Sequence, residues 1–305
     1  DFSFILGPGV EVDIGNDSPV FNMNIRYRED FYFYTKYTDL NNSRANVFLN
    51  ASYNRGPLST NGGFSFVQTQ QNTAQNTLGL AALNTNLIQR DLYNAFIKNQ
   101  YNFSEKYWMR LGFSWNRVEY TNNSTFGFAY QDRDYYTVPV DFFYRVTPKW
   151  SIGPGFRYRY TDLYANPANN ARYYADWFAN LAITGEIFPK LTTNVNIGYQ
   201  VRDGSNVSDD GRFTVLASFF YNLSEKTELF LDVTKDFDSG GTGSSVDSID
   251  VGVGARYNIN SYLYTVAEFE YGLDDYQNFA GNPQAGREDN LYTFSVSLGW
   301  TPPAY

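Results

Sequence analysis

The chain has 305 residues, 43% of them apolar, 18% charged and 19% aromatic, with 27 Tyr and 26 Phe. That composition excludes disorder, and a net charge of −9 argues against a nucleic-acid partner. With no His and no Cys, a His-dependent triad, His or thiolate metal sites, disulfides and a Cys nucleophile are excluded.

The length suits a single all-β domain over 1–305, and no apolar run reaches the roughly 18 residues of a transmembrane helix. The chain opens at Asp1 with neither an initiator Met nor a signal-like segment, which reads as a processed or incomplete chain. From there the pattern is period two. Strands are predicted at 2–14, 20–37, 44–54, 60–72, 90–102, 107–120, 133–146, 150–161 and 173–187. They continue at 191–202, 211–223, 227–237, 247–258, 262–274 and 290–301. Between 193 and 202, Val195, Ile197, Tyr199 and Val201 alternate with Asn194, Asn196, Gly198, Gln200 and Arg202. From 248 to 259, Ile249, Val251, Val253, Ala255, Tyr257 and Ile259 alternate with Ser248, Asp250, Gly252, Gly254, Arg256 and Asn258. A helix would repeat every three or four residues.

These segments exceed the roughly 5–6 residues of ordinary strands and match the roughly 9–11 needed to cross hydrocarbon at a tilt. In a membrane barrel the apolar set faces lipid and the polar set faces water inside. A soluble sandwich also alternates, but it does not pair so many long strands with so many aromatics. The connections fall into two alternating classes. Short ones lie at 15–19, 54–59, 103–106, 147–149, 188–190, 224–226 and 258–261. Long or polar ones lie at 37–44, 73–89, 121–132, 162–172, 203–210, 238–245 and 275–289. This is the outer-membrane arrangement, with short turns periplasmic. Fifteen strands is an odd number, whereas bacterial single-chain barrels have an even one. The expectation is therefore an up-and-down antiparallel barrel, sixteen-stranded when complete, with a further strand upstream of Asp1 and both termini of the complete protein periplasmic.

The opening Asp1-Phe2-Ser3-Phe4-Ile5-Leu6-Gly7-Pro8-Gly9-Val10 resembles the first strand of a family of outer-membrane β-barrel porins often encoded beside exopolysaccharide-export genes. The turns Leu223-Ser224-Glu225-Lys226-Thr227 and Phe103-Ser104-Glu105-Lys106 are similar to that family's, as is Phe188-Pro189-Lys190-Leu191 followed by Ile197-Gly198-Tyr199. The resemblance covers the whole chain through short motifs. It implies a barrel in the Gram-negative outer membrane, an earlier strand, and transport associated with polysaccharide export. The closing Phe294, Val296, Leu298 and Trp300 resemble the signal read by barrel-insertion machinery. A simple lipid-facing strand explains the same residues.

Phase assigns Arg26, Arg28, Lys98, Arg110, Arg145, Arg157, Arg159, Arg202 and Arg256 to the interior. It does the same for Glu11, Asp13, Asp30, Asp141, Glu186, Asp232, Asp236, Asp250, Glu268, Glu270 and Asp274. Positive charge dominates from Lys98 to Arg202. Negative charge dominates the first strand and those from 227 to 274. In a closed barrel these would face each other, a transverse field that orients polar solutes. Alternatively, the charges simply pair with neighbours and solvate or plug the wall. Pro8 and Pro154, each between two glycines, predict bulges or strand ends. Tyr158 and Tyr160, and the run 31–34, fit an interface girdle or, less simply, stacking surfaces for sugar rings. The 73–89 connection, through Leu78, Leu80 and Leu83, is the candidate constriction, or else an extracellular contact.

Glu268 and Glu270 are the one carboxylate pair suited to glycoside chemistry or Ca²⁺. They lack an identifiable partner set, so no enzyme activity, cofactor or metal is expected. The 238–245 loop lacks the Lys and helix of a phosphate-binding loop. Two functions follow: a pore for hydrophilic solutes or an exported polysaccharide, or an anchoring barrel with a plugged lumen. The implied partners are outer-membrane lipid and, in the second case, a periplasmic or rim-binding protein.

Overall fold

The computed structural model describes residues 3–15, 18–34, 41–72, 87–121, 130–165, 170–205, 211–239, 245–276 and 286–300. All the regular structure among them is β. The strands are β1 (Ser3–Leu6), β2 (Gly9–Ile14), β3 (Phe21–Tyr34), β4 (Asn42–Arg55), β5 (Leu58–Asn72), β6 (Leu87–Asn102), β7 (Tyr107–Tyr120) and β8 (Arg133–Thr147). They continue as β9 (Trp150–Leu163), β10 (Arg172–Phe188), β11 (Leu191–Gly204), β12 (Gly211–Asn222), β13 (Thr227–Ser239), β14 (Ser245–Asn258), β15 (Leu263–Tyr276) and β16 (Glu288–Trp300). All sixteen lie in one antiparallel sheet in chain order, with β1 and β2 both paired to β3. The all-β, up-and-down architecture follows the period-two reading strand for strand, from β3 to β16.

Three of the short turns share one device. A polar side chain at the start of the turn accepts hydrogen bonds from the backbone N–H groups two and three residues on, closing the turn without a second strand residue. Ser104 Oγ accepts from Lys106 and Tyr107, Ser224 Oγ from Lys226 and Thr227, and Asn260 Oδ1 from Tyr262 and Leu263.

The first predicted strand is two. Gly7 and Pro8 separate β1 from β2, yet register on β3 runs on unchanged, from Leu6↔Phe31 to Gly9↔Arg28. Of the two expectations for Pro8, a bulge or a strand end, it is the strand end that holds. Pro lacks the N–H that a ladder needs, so pairing lapses and resumes in step. The same happens at Pro154, where the β8–β9 ladder jumps from Asp141↔Gly155 to Tyr144↔Ile152. It happens again at Pro139, where β7–β8 jumps from Leu111↔Val140 to Ser114↔Thr137. Pro154 lies inside a continuous β9, held from the other side by Leu181 of β10. The bulge in β8–β9 falls instead between Arg145 and Thr147.

Along the outward phase, Phe156, Trp177, Leu181, Ile197, Tyr199, Phe213, Phe269 and Phe294 are all exposed. An apolar surface this continuous belongs in hydrocarbon rather than water. Strands of 12 to 17 residues from β3 onward suffice to cross it. Tyr158 and Tyr160 are on this outer face, packed on Trp177 and Tyr173, so they are not stacking surfaces inside the lumen. Among the described residues no ladder joins β16 to β1 or β2. Both edges run from the long-connection end to the short-turn end. The strand expected upstream of Asp1 lies outside the described residues.

Candidate functional site

The opposite phase of the strands makes a polar inner wall with three levels between β7 and β14. At the short-turn end it is aromatic. Trp108 of β7 stacks on Phe143 of β8 with ring centroids 4.0 Å apart, beside Ala182 of β10. The indole N–H donates to Ser151 Oγ at 3.1 Å, satisfying its one polar atom.

The middle level is a recess of about 250 Å³, bordered by Lys98, Arg110, Asp141, Arg157, Asn180 and Asn196. Arg110 pairs with Asp141 at 2.7 Å. Asn180 Nδ2 donates to Asn196 Oδ1. Gly155 of β9 lies between Asp141 and Asn180 in register. A Cβ on Gly155 would stand 2.1 Å from Asp141 Oδ1 and 2.7 Å from Asn180 Nδ2. The absent side chain is the space those two polar groups occupy. Lys98 lies 5.2 Å from the Phe96 ring and has no carboxylate partner among the described residues.

The third level, towards the long connections, is an ion-pair lattice. Arg202 of β11 holds Asp176 of β10 with two hydrogen bonds of 2.6 and 2.8 Å, a bidentate arrangement suited to the planar guanidinium. Its third nitrogen donates to the Asp238 carbonyl and to Ser245 Oγ. Arg159 of β9 bonds Asp176 at 2.7 Å and Asp236 of β13 at 3.2 Å. Arg157 bonds Asp236 at 3.0 Å and Gln200 Oε1 at 3.1 Å. Arg159 also donates to the Phe237 carbonyl at 2.6 Å. The lattice thus ties β9 to β13 across β10, β11 and β12, which requires the sheet to curl tightly on this side. Beyond it, Tyr164 donates to Asp134 Oδ2 at 2.6 Å. That bond to a carboxylate, then burial, pushes the phenol pKa up to about 12.

A second recess, of about 390 Å³, lies on β13 to β16 and is acidic. Asp232, Asp250, Glu268 and Glu270 line it, with Thr234 and Thr293 between them. Ser218 and Ser248 donate to Asp232 and Asp250. Glu268 and Glu270 have no cationic partner among the described residues. Ser248 also bonds Asp274 at 2.7 Å. No group of three or more carboxylates among the described residues has the geometry to hold a metal ion.

The other charges assigned to the interior by phase pair locally. Arg26 bonds Glu11 at 2.8 Å, and Asn24 bonds both Glu11 and Asp13. Arg28 bonds Asp30 at 2.6 Å. Arg145 reaches the Glu105 carbonyl in a short turn, Lys149 pairs with Glu186 at 2.9 Å, and Arg256 stacks on Tyr264. Leu78, Leu80 and Leu83 lie outside the described residues. Sequence reasoning missed Asp176, because its surroundings Tyr173-Tyr174-Ala175-Asp176-Trp177-Phe178 are apolar in both phases. Its register partner Arg159 was the available signal.

No family model matches the chain, and no curated protein sequence matches it. Among solved structures, the FrpB iron transporter from Neisseria meningitidis in its F3-3 variant is similar, at a TM-score of 0.51 and 8% identity, covering 99% of this chain and 58% of that one. The F5-1 variant is similar at a TM-score of 0.52 and 8% identity, covering 98% and 59%. The chain therefore spans under two thirds of the length of the barrels it matches. At such identity the likeness shows the fold alone: a transmembrane-type antiparallel β-barrel.

Proposed function

We propose that this barrel lies in the outer membrane of a Gram-negative bacterium and passes hydrophilic solutes through its polar lumen, without energy input. The observation that carries the reading is the pair of oppositely charged recesses on one inner wall, inside an apolar outer face. Charged groups left without counter-ions need water or a passing solute to solvate them. Unpaired Lys98 on one side and Glu268 and Glu270 on the other create a transverse field that favours polar over apolar solutes. Arg157, Arg159 and Arg202 contribute less, because Asp176 and Asp236 pair with them. That the similar barrels are iron transporters is in keeping with transport. The motif resemblance makes an exported polysaccharide one candidate cargo. The termini of the complete protein are placed in the periplasm, with the short turns.

A second reading rests on the lattice. Bonds that tie β9 to β13 narrow the long-connection end, as expected of a plugged barrel that anchors a periplasmic or rim-binding partner. Single-channel conductance of the folded protein in a planar bilayer, repeated with polymers of graded size, separates the two. A steady conductance blocked by polymers small enough to enter supports the pore and gives its bore. A silent, verifiably folded barrel contradicts the pore and favours the anchor.

A further inference from the structure

The middle recess holds a lysine, Lys98, that pairs with no carboxylate among the described residues. Arg157, Arg159 and Arg202 pair with Asp176 and Asp236, and Asp238 is a further carboxylate acting on Arg159. Of the three, Arg157 is the one that borders the recess. Asp141 does not serve Lys98, because Arg110 already occupies it at 2.7 Å. On β10 and β11, beyond Arg157, Asn180 and Asn196 share one hydrogen bond, which leaves amide donors and acceptors for another partner. Pro139, Phe178 and Leu216 complete the lining with apolar surface.

We propose that this recess binds a small hydroxylated carboxylate, of the sugar-acid class. The carboxylate takes Lys98, the hydroxyls take Arg157, Asn180 and Asn196, and the C–H face of the ring lies on the apolar lining. A few convergent polar groups set in a concave, partly apolar wall are the usual make-up of a small-solute site. A bound carboxylate supplies the counter-charge that Lys98 lacks. The proposal rests on the reading of the lumen as aqueous, since the solute must reach the recess from water.

The test is calorimetric titration of the folded full chain in detergent with sodium galacturonate and, separately, with galactose. Galacturonate is expected to bind, with galactose at least about tenfold weaker, the loss of one charge-assisted contact. Lys98→Gln is expected to weaken galacturonate about tenfold and leave galactose unaltered. Asn196→Asp, which adds a negative charge to the recess, should weaken galacturonate as well, while Glu268→Gln in the acidic recess should not. Circular dichroism and heat-modifiable gel mobility establish that each variant is folded. Absence of galacturonate binding at millimolar concentration, equal binding of both sugars, or full affinity in folded Lys98→Gln would each overturn the proposal. Galacturonate binding by a barrel that is silent in bilayers contradicts the pore and leaves the recess standing. An open channel that does not bind galacturonate does the reverse.

Discussion

Two arginine–carboxylate pairs of nearly equal length stand on opposite parts of the inner wall. Arg202 holds Asp176 at 2.6 Å, with side chains 1% and 2% exposed. Arg26 holds Glu11 at 2.8 Å, with side chains 53% and 44% exposed. Distance does not separate them; surroundings do. In the β9–β14 region the sheet curls tightly enough for side chains from five strands to cover the pair and add hydrogen bonds to it. In the β2–β3 region water reaches both partners, weakens their attraction and competes for it. The first pair is part of the architecture, whereas the second decorates a solvated wall.

The sharpest way to break this comparison is to delete one member of each pair. Asp176→Ala leaves Arg159 and Arg202 with an uncompensated buried charge. It should destabilise the barrel by about 3–5 kcal/mol, read as a fall in the urea midpoint for unfolding in detergent or lipid. Arg110→Gln tests an intermediate case, because Asp141 is almost covered and Arg110 is not. The expected loss is about 1.5–3 kcal/mol, the worth of hydrogen bonds to a charged group. Glu11→Gln should leave the urea midpoint almost unmoved, because water screens an exposed pair. A Glu11→Gln loss equal to that of Asp176→Ala would erase the distinction between the two regions. The smallest effect expected is spectroscopic. Tyr164, outside the spanning strands, should keep its proton as pH rises until about 12, above the roughly 10 of a free phenol. The stabilisation from its bond to Asp134 is complete below pH of about 10 and disappears as pH rises through the folded value. Absorbance at the tyrosinate band, comparing the protein with Tyr164→Phe, measures that step.

Much of this was legible in the sequence, and the reasons divide cleanly. The strands were, because lipid on one side and water on the other force a period of two, as in Val195 to Arg202. The assignment of the charges to the interior rests on the same alternation. What one strand does not reveal is whom its side chains meet. Arg159 finds Asp236 only because curvature brings β13 to β9, a relation between residues 77 apart in sequence. Asp176 was hidden by apolar neighbours in both phases. The seating of Asp141 and Asn180 depends on register, since Gly155 is an ordinary strand glycine until those two are placed on either side of it. Pro8 and Pro154 were read as bulges or strand ends. Pro8 falls at a strand end, and at Pro154, as at Pro139, the ladder lapses and resumes in step.

The central claim is that unpaired charges of both signs border one water-filled path. Reversal potential across a bilayer holding the open channel, in a potassium chloride gradient, tests it most directly. Lys98→Gln should move selectivity towards cations, and Glu268→Gln with Glu270→Gln should move it towards anions. Opposite shifts from the two variants are the predicted result. Identical reversal potentials in the protein and in both folded variants would contradict the account.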